Sequence, residues 1–146
     1  MVTDQELRHH VYTSTAEHGG PPRSTEIASA LGISPAEALA GLQRLRAVRL
    51  VYLASDSGEI VMAPPFSAIP TPFLVETARQ SYFANCVWDS YGIAAALHED
   101  VTIRASCACC GESMTLAVTG GRPVDAPGVA HFAVPAAHWW DDLIFT

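Results

Sequence analysis

Lysine is absent from this chain of 146 residues, and all eight of its basic residues are arginine. Fifteen acidic residues bring the formal net charge to −7 at pH 7. A protein of this charge has no general attraction for nucleic acid or anionic lipid, because both are themselves negatively charged. We therefore do not expect DNA or a membrane among its partners.

Long apolar runs are also missing, since no stretch of about 18 or more apolar residues is present to span a bilayer. The N-terminal segment Met1 to Glu6 lacks the basic and then apolar order of a signal peptide. We expect a cytoplasmic protein. Because 49% of the residues are hydrophobic, the chain can form one ordinary core or two small subdomains.

Cysteine is missing from the first 85 residues and then occurs four times within 25 positions. Without export signals, thiols clustered in this way indicate metal or catalytic chemistry more than disulfides. The alternative, that some of them are small buried hydrophobic residues, stays open. The four are Cys86, Cys107, Cys109 and Cys110.

Three helices are predicted in the first third of the chain. One spans about Asp4 to His18, and a second runs from Ser24 to a stop at Gly32. The third has Ser34 as N-cap, Pro35 at the first helical position and Glu37 three residues after the cap, which together predict a capping box.

A hairpin is predicted after these helices, because residues 50–53 and 60–62 are apolar and flank the turn Ser55-Asp56-Ser57-Gly58. Three helices followed by a hairpin is the order of a winged helix, which we assign to residues 1–63. The N-terminal turns of its third helix carry Glu37 and small residues that read base edges poorly. We therefore interpret it as a packing module rather than a DNA reader.

A proline-rich connector, residues 64–73, separates this half from residues 74–146. The sequence of the second half predicts one main helix over Ser81 to Leu97 and a small mixed sheet. The predicted fold class is therefore α+β. A short last helix could begin after Pro135. The predicted strands are Phe73 to Val75, Val101 to Ser106, Met114 to Val118 and His131 to Val134.

Cys86 and Asp89 are the candidate catalytic pair. With Asn85 as N-cap, Cys86 would lie in the first turn of a helix, where free N–H groups and the helix dipole favour a thiolate. Asp89 falls on the same face, and its pKa should rise beside an anionic sulfur, as suits a proton donor. Alternatively, the pair is a buried cysteine beside an aspartate that only caps or pairs with an arginine.

The turn Cys107-Ala-Cys109-Cys110-Gly111 contains a C-x-x-C-G knuckle, a geometry in which two thiolates hold Zn²⁺. Cys86, His131 or His138 could complete the ligands, so all four cysteines are candidate metal ligands. Reduced thiols in a tight turn are the alternative. Farther along, Trp139 and Trp140 could line a pocket for an apolar organic group or finish the core.

The stretch from Ala84 to Ala117, with Cys86 and Asp89 followed by Ser106-Cys107, resembles the catalytic region of the alkylmercury lyase (organomercurial lyase) family. Residues 65–71 resemble the segment with which that family leaves its N-terminal domain. His131-Phe132 resembles a later core strand. These similar segments follow one another in the same order as in the family, and together they span most of residues 20 to 134.

The resemblance implies protonolysis of a carbon–mercury bond, with Cys86 as the attacking thiolate, Asp89 as the proton carrier and Cys107 as a structural cysteine. It implies a small organometallic or soft-metal ligand and no required cofactor, although the cysteines could hold Hg or Zn. The family's second mercury-binding cysteine has no counterpart, because Asp125 to Val129 contains no thiol. A non-catalytic metal- or thiol-sensing regulator is the alternative function, and the oligomeric state stays open.

Overall fold

Residues 2–126 and 128–143 are described by the computed structural model, and the chain divides into two units, Met1–Ile69 and Pro70–Thr146. The fold is mixed α+β, as predicted. No helix among the described residues is long and apolar enough to cross a membrane.

The first unit consists of three helices and a three-stranded antiparallel sheet. The helices α1 and α3 begin at capping boxes, Thr3 with Glu6 and Ser34 with Glu37, in which each side chain satisfies the backbone N–H of the other residue. The elements are α1 (Asp4–His18), α2 (Ser24–Leu31), α3 (Pro35–Ala47), β1 (Tyr52–Leu53), β2 (Ile60–Ala63) and β3 (Phe66–Ser67).

The core of the first unit forms where the helices bury their apolar faces together. Val11, Ile27 and Leu42 are fully buried there. The Tyr12 hydroxyl lies against this cluster and donates hydrogen bonds to the carbonyls of Leu50 and Pro64, at 3.0 and 3.1 Å. The helices and the strand region of this unit are therefore tied by polar contacts as well as by apolar packing.

The second unit is an antiparallel sheet with one helix packed against it. Its strands follow the order β5-β4-β6-β7-β8. The elements are β4 (Phe73–Glu76), β5 (Ser81–Ala84), α4 (Val87–Leu97), β6 (Val101–Ser106), β7 (Ser113–Thr119), β8 (Arg122–Pro123) and a 3₁₀ turn at Ala136–His138.

The predicted helix over Ser81 to Leu97 is wrong in its first part, because residues 81–84 form β5 and the helix begins only at Val87. β5 pairs with β4 from Phe73↔Ala84 to Glu76↔Ser81. Tyr82 and Ala84 are buried while Ser81 is exposed, which is the alternation of a strand. The aromatic pair Tyr82-Phe83 favours this strand over a helix.

The predicted strand His131 to Val134 is also wrong, since these residues form no regular structure. The free edge of β7 is taken instead by β8, which returns directly through Gly120 and Gly121. Both glycines have positive φ, 58° and 73°, as a two-residue hairpin turn of type I′ requires. The connector likewise contains a short strand, because β3 folds back on β2 through the cis-linked Pro64-Pro65.

Candidate active site

The segment that leads into α4 positions the candidate catalytic pair. The Thr71 hydroxyl donates a hydrogen bond to the carbonyl of Ala84, the last residue of β5. The next side chain, Asn85, donates from Nδ2 to the carbonyl of Leu143 at 2.6 Å. The end of β5 and the residue before the N-cap of α4 are thus each held by a hydrogen bond.

Cys86 is the N-cap of α4, not a first-turn residue behind an Asn85 cap as predicted. Its backbone is extended, with φ −145° and ψ 179°. Its carbonyl accepts two hydrogen bonds from Ser90, one from the backbone N–H and one from the side-chain hydroxyl, both at 3.0 Å. Ser90 is fully buried, so it fixes the position of Cys86 although the sequence did not single it out.

The Cys86 thiol donates a hydrogen bond to Asp89 Oδ2 at 3.4 Å. The N-cap residue and the residue three positions later meet across the first helical turn, as they do in a capping box. Both side chains are half-buried. The predicted contact between this thiol and this carboxylate is therefore present.

Burial raises the pKa of the Cys86 thiol to about 11. Burial is the largest cause of this value, the negative charge of Asp89 and its hydrogen bond with the thiol also raise the pKa, and the backbone N–H groups of Asp89 and Trp88 lower it. The expected stabilisation of a thiolate by the helix N-terminus is therefore outweighed by loss of solvent. At neutral pH the unliganded sulfur keeps its proton.

The pKa of Asp89 is raised as well, in the predicted direction. The cause is burial of the carboxylate, and hydrogen bonds from Cys86 partly oppose it. The prediction named an anionic sulfur as the cause, whereas the sulfur is protonated and acts as a donor. The pair is thus a buried acid beside a buried thiol, an arrangement that retains protons.

The other cysteines lie in the turn between β6 and β7. Cys107 is partly exposed, and Cys109 and Cys110 are exposed. Within the described residues, no three His, Cys, Asp or Glu side chains come together in a group that could hold a metal ion. Neither His131 nor His138 therefore joins the turn cysteines in such a group, and His138 instead contacts Asp141 at 3.0 Å.

An open apolar pocket of about 640 Å³ lies beside the first turn of α4 and was not located from the sequence. Trp88, next to Asp89 in the chain, forms one wall and is 65% exposed. The rings of Phe132 and Trp139 contact each other at a tilt of 38°, with their centres 5.2 Å apart. Trp139 lines the pocket, as one of the two alternatives predicted. The pocket is completed by Ala133, Val134, Pro135 and Ala136.

Comparison with known proteins gives the family. The family model described as alkylmercury lyase (MerB) matches residues 66–146, which is just over half of the chain and includes Cys86 and Asp89. The chain belongs to the alkylmercury lyase family.

A solved structure, the mercury-bound form of MerB2, is similar in fold, with a TM-score of 0.63 and 23% sequence identity. The match covers 83% of this chain and 59% of that chain, so the present sequence spans less than two-thirds of its length. No significant match is found among curated proteins.

The raised pKa of Cys86 is testable by alkylation. In Asp89→Asn the pKa of Cys86 should fall below about 11, because the carboxylate charge that raises it is gone. The measurement is the pH dependence of iodoacetamide labelling, read by mass spectrometry on the peptide that contains Cys86. Asp89→Glu, which keeps the charge, is the matched control, and an unchanged midpoint in Asp89→Asn would contradict the electrostatic account.

The burial of Asp89 predicts a stability effect that depends on pH. Because its pKa is raised in the folded state, stability is lost as pH rises from its ordinary pKa, about 4, through the folded value. Asp89→Asn cannot ionise and should be more stable than the parent at pH 7, with the difference shrinking near pH 3. Urea unfolding at both pH values tests this, with the exposed Asp125→Asn as control. A destabilised Asp89→Asn at pH 7 would refute it.

Proposed function

We propose that this chain catalyses protonolysis of carbon–mercury bonds, with Cys86 as the mercury-binding thiolate and Asp89 as the proton carrier. The observation that carries the proposal is the 3.4 Å contact between the Cys86 thiol and Asp89 Oδ2, in a chain of the alkylmercury lyase family. Mercury is a soft metal that prefers thiolate ligands. A carbon leaving group of low acidity needs a positioned acid.

The proton required for the reaction is already on the pair. When the mercury of R–Hg⁺ bonds to Cys86 Sγ, the thiol proton passes along the existing hydrogen bond to Asp89 Oδ2. Asp89 then gives this proton to the carbon as the carbon–mercury bond breaks, which releases R–H and leaves Hg²⁺ on the sulfur. The raised pKa of Asp89 favours the protonated carboxyl group that this step needs.

In this proposal, the product Hg²⁺ takes its second sulfur ligand from outside the Cys86–Asp89 pair. Asp125 to Val129, where the resemblance would place a second mercury-binding cysteine, has no thiol. We assign the role to an exogenous small thiol, and movement of Cys109 or Cys110 towards Cys86 is the alternative. No resident cofactor takes part in either route.

The organic group of the substrate is proposed to lie in the apolar pocket beside α4. Trp88, which forms one wall, lies in the same first turn of α4 as Asp89, and in this proposal the ligand extends its mercury end from the pocket to the pair. The tilted rings of Phe132 and Trp139 offer a second aromatic surface. This geometry favours substrates with an aryl group.

The first unit is proposed to be a winged-helix-like domain, residues 1–63, joined by the connector 64–73 to a catalytic domain, residues 74–146. Its three helices and antiparallel strands support this interpretation. The first turn of α3 presents Glu37, which would repel phosphate. A packing role for this domain is therefore proposed, and a cytoplasmic location of the protein is a separate part of the proposal. No observation on the described residues favours the sensing regulator.

The lyase activity is tested with phenylmercury and excess small thiol, by following benzene release. Cys86→Ser should give no release above the thiol blank. Asp89→Asn should slow release by roughly 10²- to 10⁴-fold, the usual contribution of a positioned acid. Parent protein that gives only the blank rate would refute the proposed function, while full activity of Asp89→Asn would remove the proton-carrier role alone.

The pocket is tested by comparing phenylmercury with methylmercury. Trp88→Ala should raise KM for phenylmercury about fivefold, because an aromatic contact of about 1 kcal/mol is lost, and should change KM for methylmercury much less. Trp88→Phe, which keeps a ring, is the matched control. Equal losses with the two substrates would show that Trp88 does not contact the organic group.

A further inference from the structure

The apolar pocket beside α4 has two walls that are built differently. Trp88 belongs to the first turn of α4, which packs against the sheet. The other lining residues lie within residues 132–139, which contain a 3₁₀ turn but no strand or α-helix. Because this segment has no strand partner, its position relative to α4 depends on individual contacts rather than on a ladder of backbone hydrogen bonds.

Contacts within this segment join its residues into one wall. Trp139 Nε1 donates a hydrogen bond to the carbonyl of Val134 at 2.8 Å, and the Trp139 ring centre lies 5.2 Å from that of Phe132. The N–H of His138 donates to the carbonyl of Pro135 at 2.9 Å and closes the 3₁₀ turn. Where this wall lies is therefore set by how the segment is attached to the rest of the second unit.

Asn85 attaches the C-terminal end of the segment to the start of α4. Its Nδ2 donates a hydrogen bond to the carbonyl of Leu143 at 2.6 Å. The Leu143 side chain is buried, so apolar packing supports the same attachment. Because Asn85 directly precedes Cys86, the N-cap of α4, this hydrogen bond joins the start of the helix to the chain that forms the second wall.

We propose that Asn85 is a positioning residue for the organic group of the substrate, because it holds the segment 132–143 beside the start of α4. This inference rests on the proposed function, which places the organic group in this pocket. Asn85 touches no reacting atom in it. The carbonyl of Cys86 is held separately by Ser90. Loss of the Asn85 hydrogen bond should therefore weaken recognition of an aryl group more than it affects the reactive pair.

The test needs a variant that removes the donor at nearly constant size. Asn85→Leu does so, because leucine has about the shape of asparagine and cannot donate. Asn85→Gln keeps an amide donor on a longer side chain. Thr71→Val is the matched control, since it removes the hydrogen bond from the Thr71 hydroxyl to the carbonyl of Ala84, which anchors the end of β5 and not the segment 132–143.

Recognition of an aryl group is measured at Cys86 without mercury. The full chain is alkylated with N-phenyliodoacetamide or with iodoacetamide, and mass spectrometry follows the rate at the peptide that contains Cys86. Each rate is divided by the rate of the same reagent with a small thiol. At one pH the ratio of the two normalised rates does not depend on the pKa of Cys86, because both reagents react with the same thiolate.

We expect the parent protein to favour the phenyl reagent. Asn85→Leu should lower this preference about fivefold, the size of one aromatic contact, while Asn85→Gln should lose less and Thr71→Val should keep it. Amide hydrogen exchange over residues 132–143 should be faster in Asn85→Leu than in Thr71→Val. Asn85→Ala, which also lacks the donor, takes its place if circular dichroism shows that Asn85→Leu is unfolded.

Three outcomes would overturn the positioning role: no preference in the parent protein, an unchanged preference in the folded variant without the donor, or an equal loss in Thr71→Val. Neither readout needs mercury or turnover, so the result is independent of carbon–mercury cleavage. A failure here would leave the proposed lyase activity standing. Absence of benzene release, with these results as expected, would remove the lyase activity and leave the role of Asn85 in aryl recognition.

Discussion

The hydrogen bond between Cys86 and Asp89 depends on α4 beginning one residue after the cysteine. In α1 and α3 the N-cap hydroxyl and a glutamate three residues later meet across the first turn. At α4 the same two positions carry a thiol and an aspartate, at 3.4 Å. A common helix-start geometry thus holds a reactive pair, and Ser90 and the preceding strand β5 fix where that start occurs. Any change that moved the start of α4 would separate the two groups.

Burial then decides what the pair can do. Removing water from both groups disfavours a charge on either, so the pKa of each is raised. A solvent-exposed cysteine and aspartate at the same spacing would exchange protons with water, whereas this pair retains a proton until a stronger ligand for sulfur displaces it. A soft metal is such a ligand, because it binds sulfur in place of the proton. Retention of the proton, rather than a preformed thiolate, is the property that the proposed protonolysis uses.

Sequence patterns that depend on neighbours along the chain predicted their elements well. Local periodicity predicted the bounds of α1, the capping box at Ser34 predicted the start of α3, and the C-x-x-D spacing predicted that Cys86 and Asp89 meet across one helical turn. Features set by tertiary contacts were missed. β5 was taken for helix although Tyr82 and Phe83 favour a strand, because its pairing with β4 is a tertiary contact that local patterns do not show. Residues 131–134 were taken for a strand although β8 occupies the edge of β7. The pKa of Cys86 was misjudged for the same reason, since burial depends on residues far away in sequence.

The pKa of Cys86 is raised and that of Cys107 is lowered, although the same kind of hydrogen bond reaches both sulfurs. Backbone N–H groups approach the sulfur of Cys86 and also that of Cys107, and in both cases they act to lower the pKa. At Cys86 burial is the larger effect and the pKa rises, whereas Cys107 lies in an open turn where the hydrogen bonds prevail. A sulfur that holds its proton suits a reaction that must deliver that proton to carbon. Solvent exposure therefore decides the direction of the pKa shift at each of these two sulfurs.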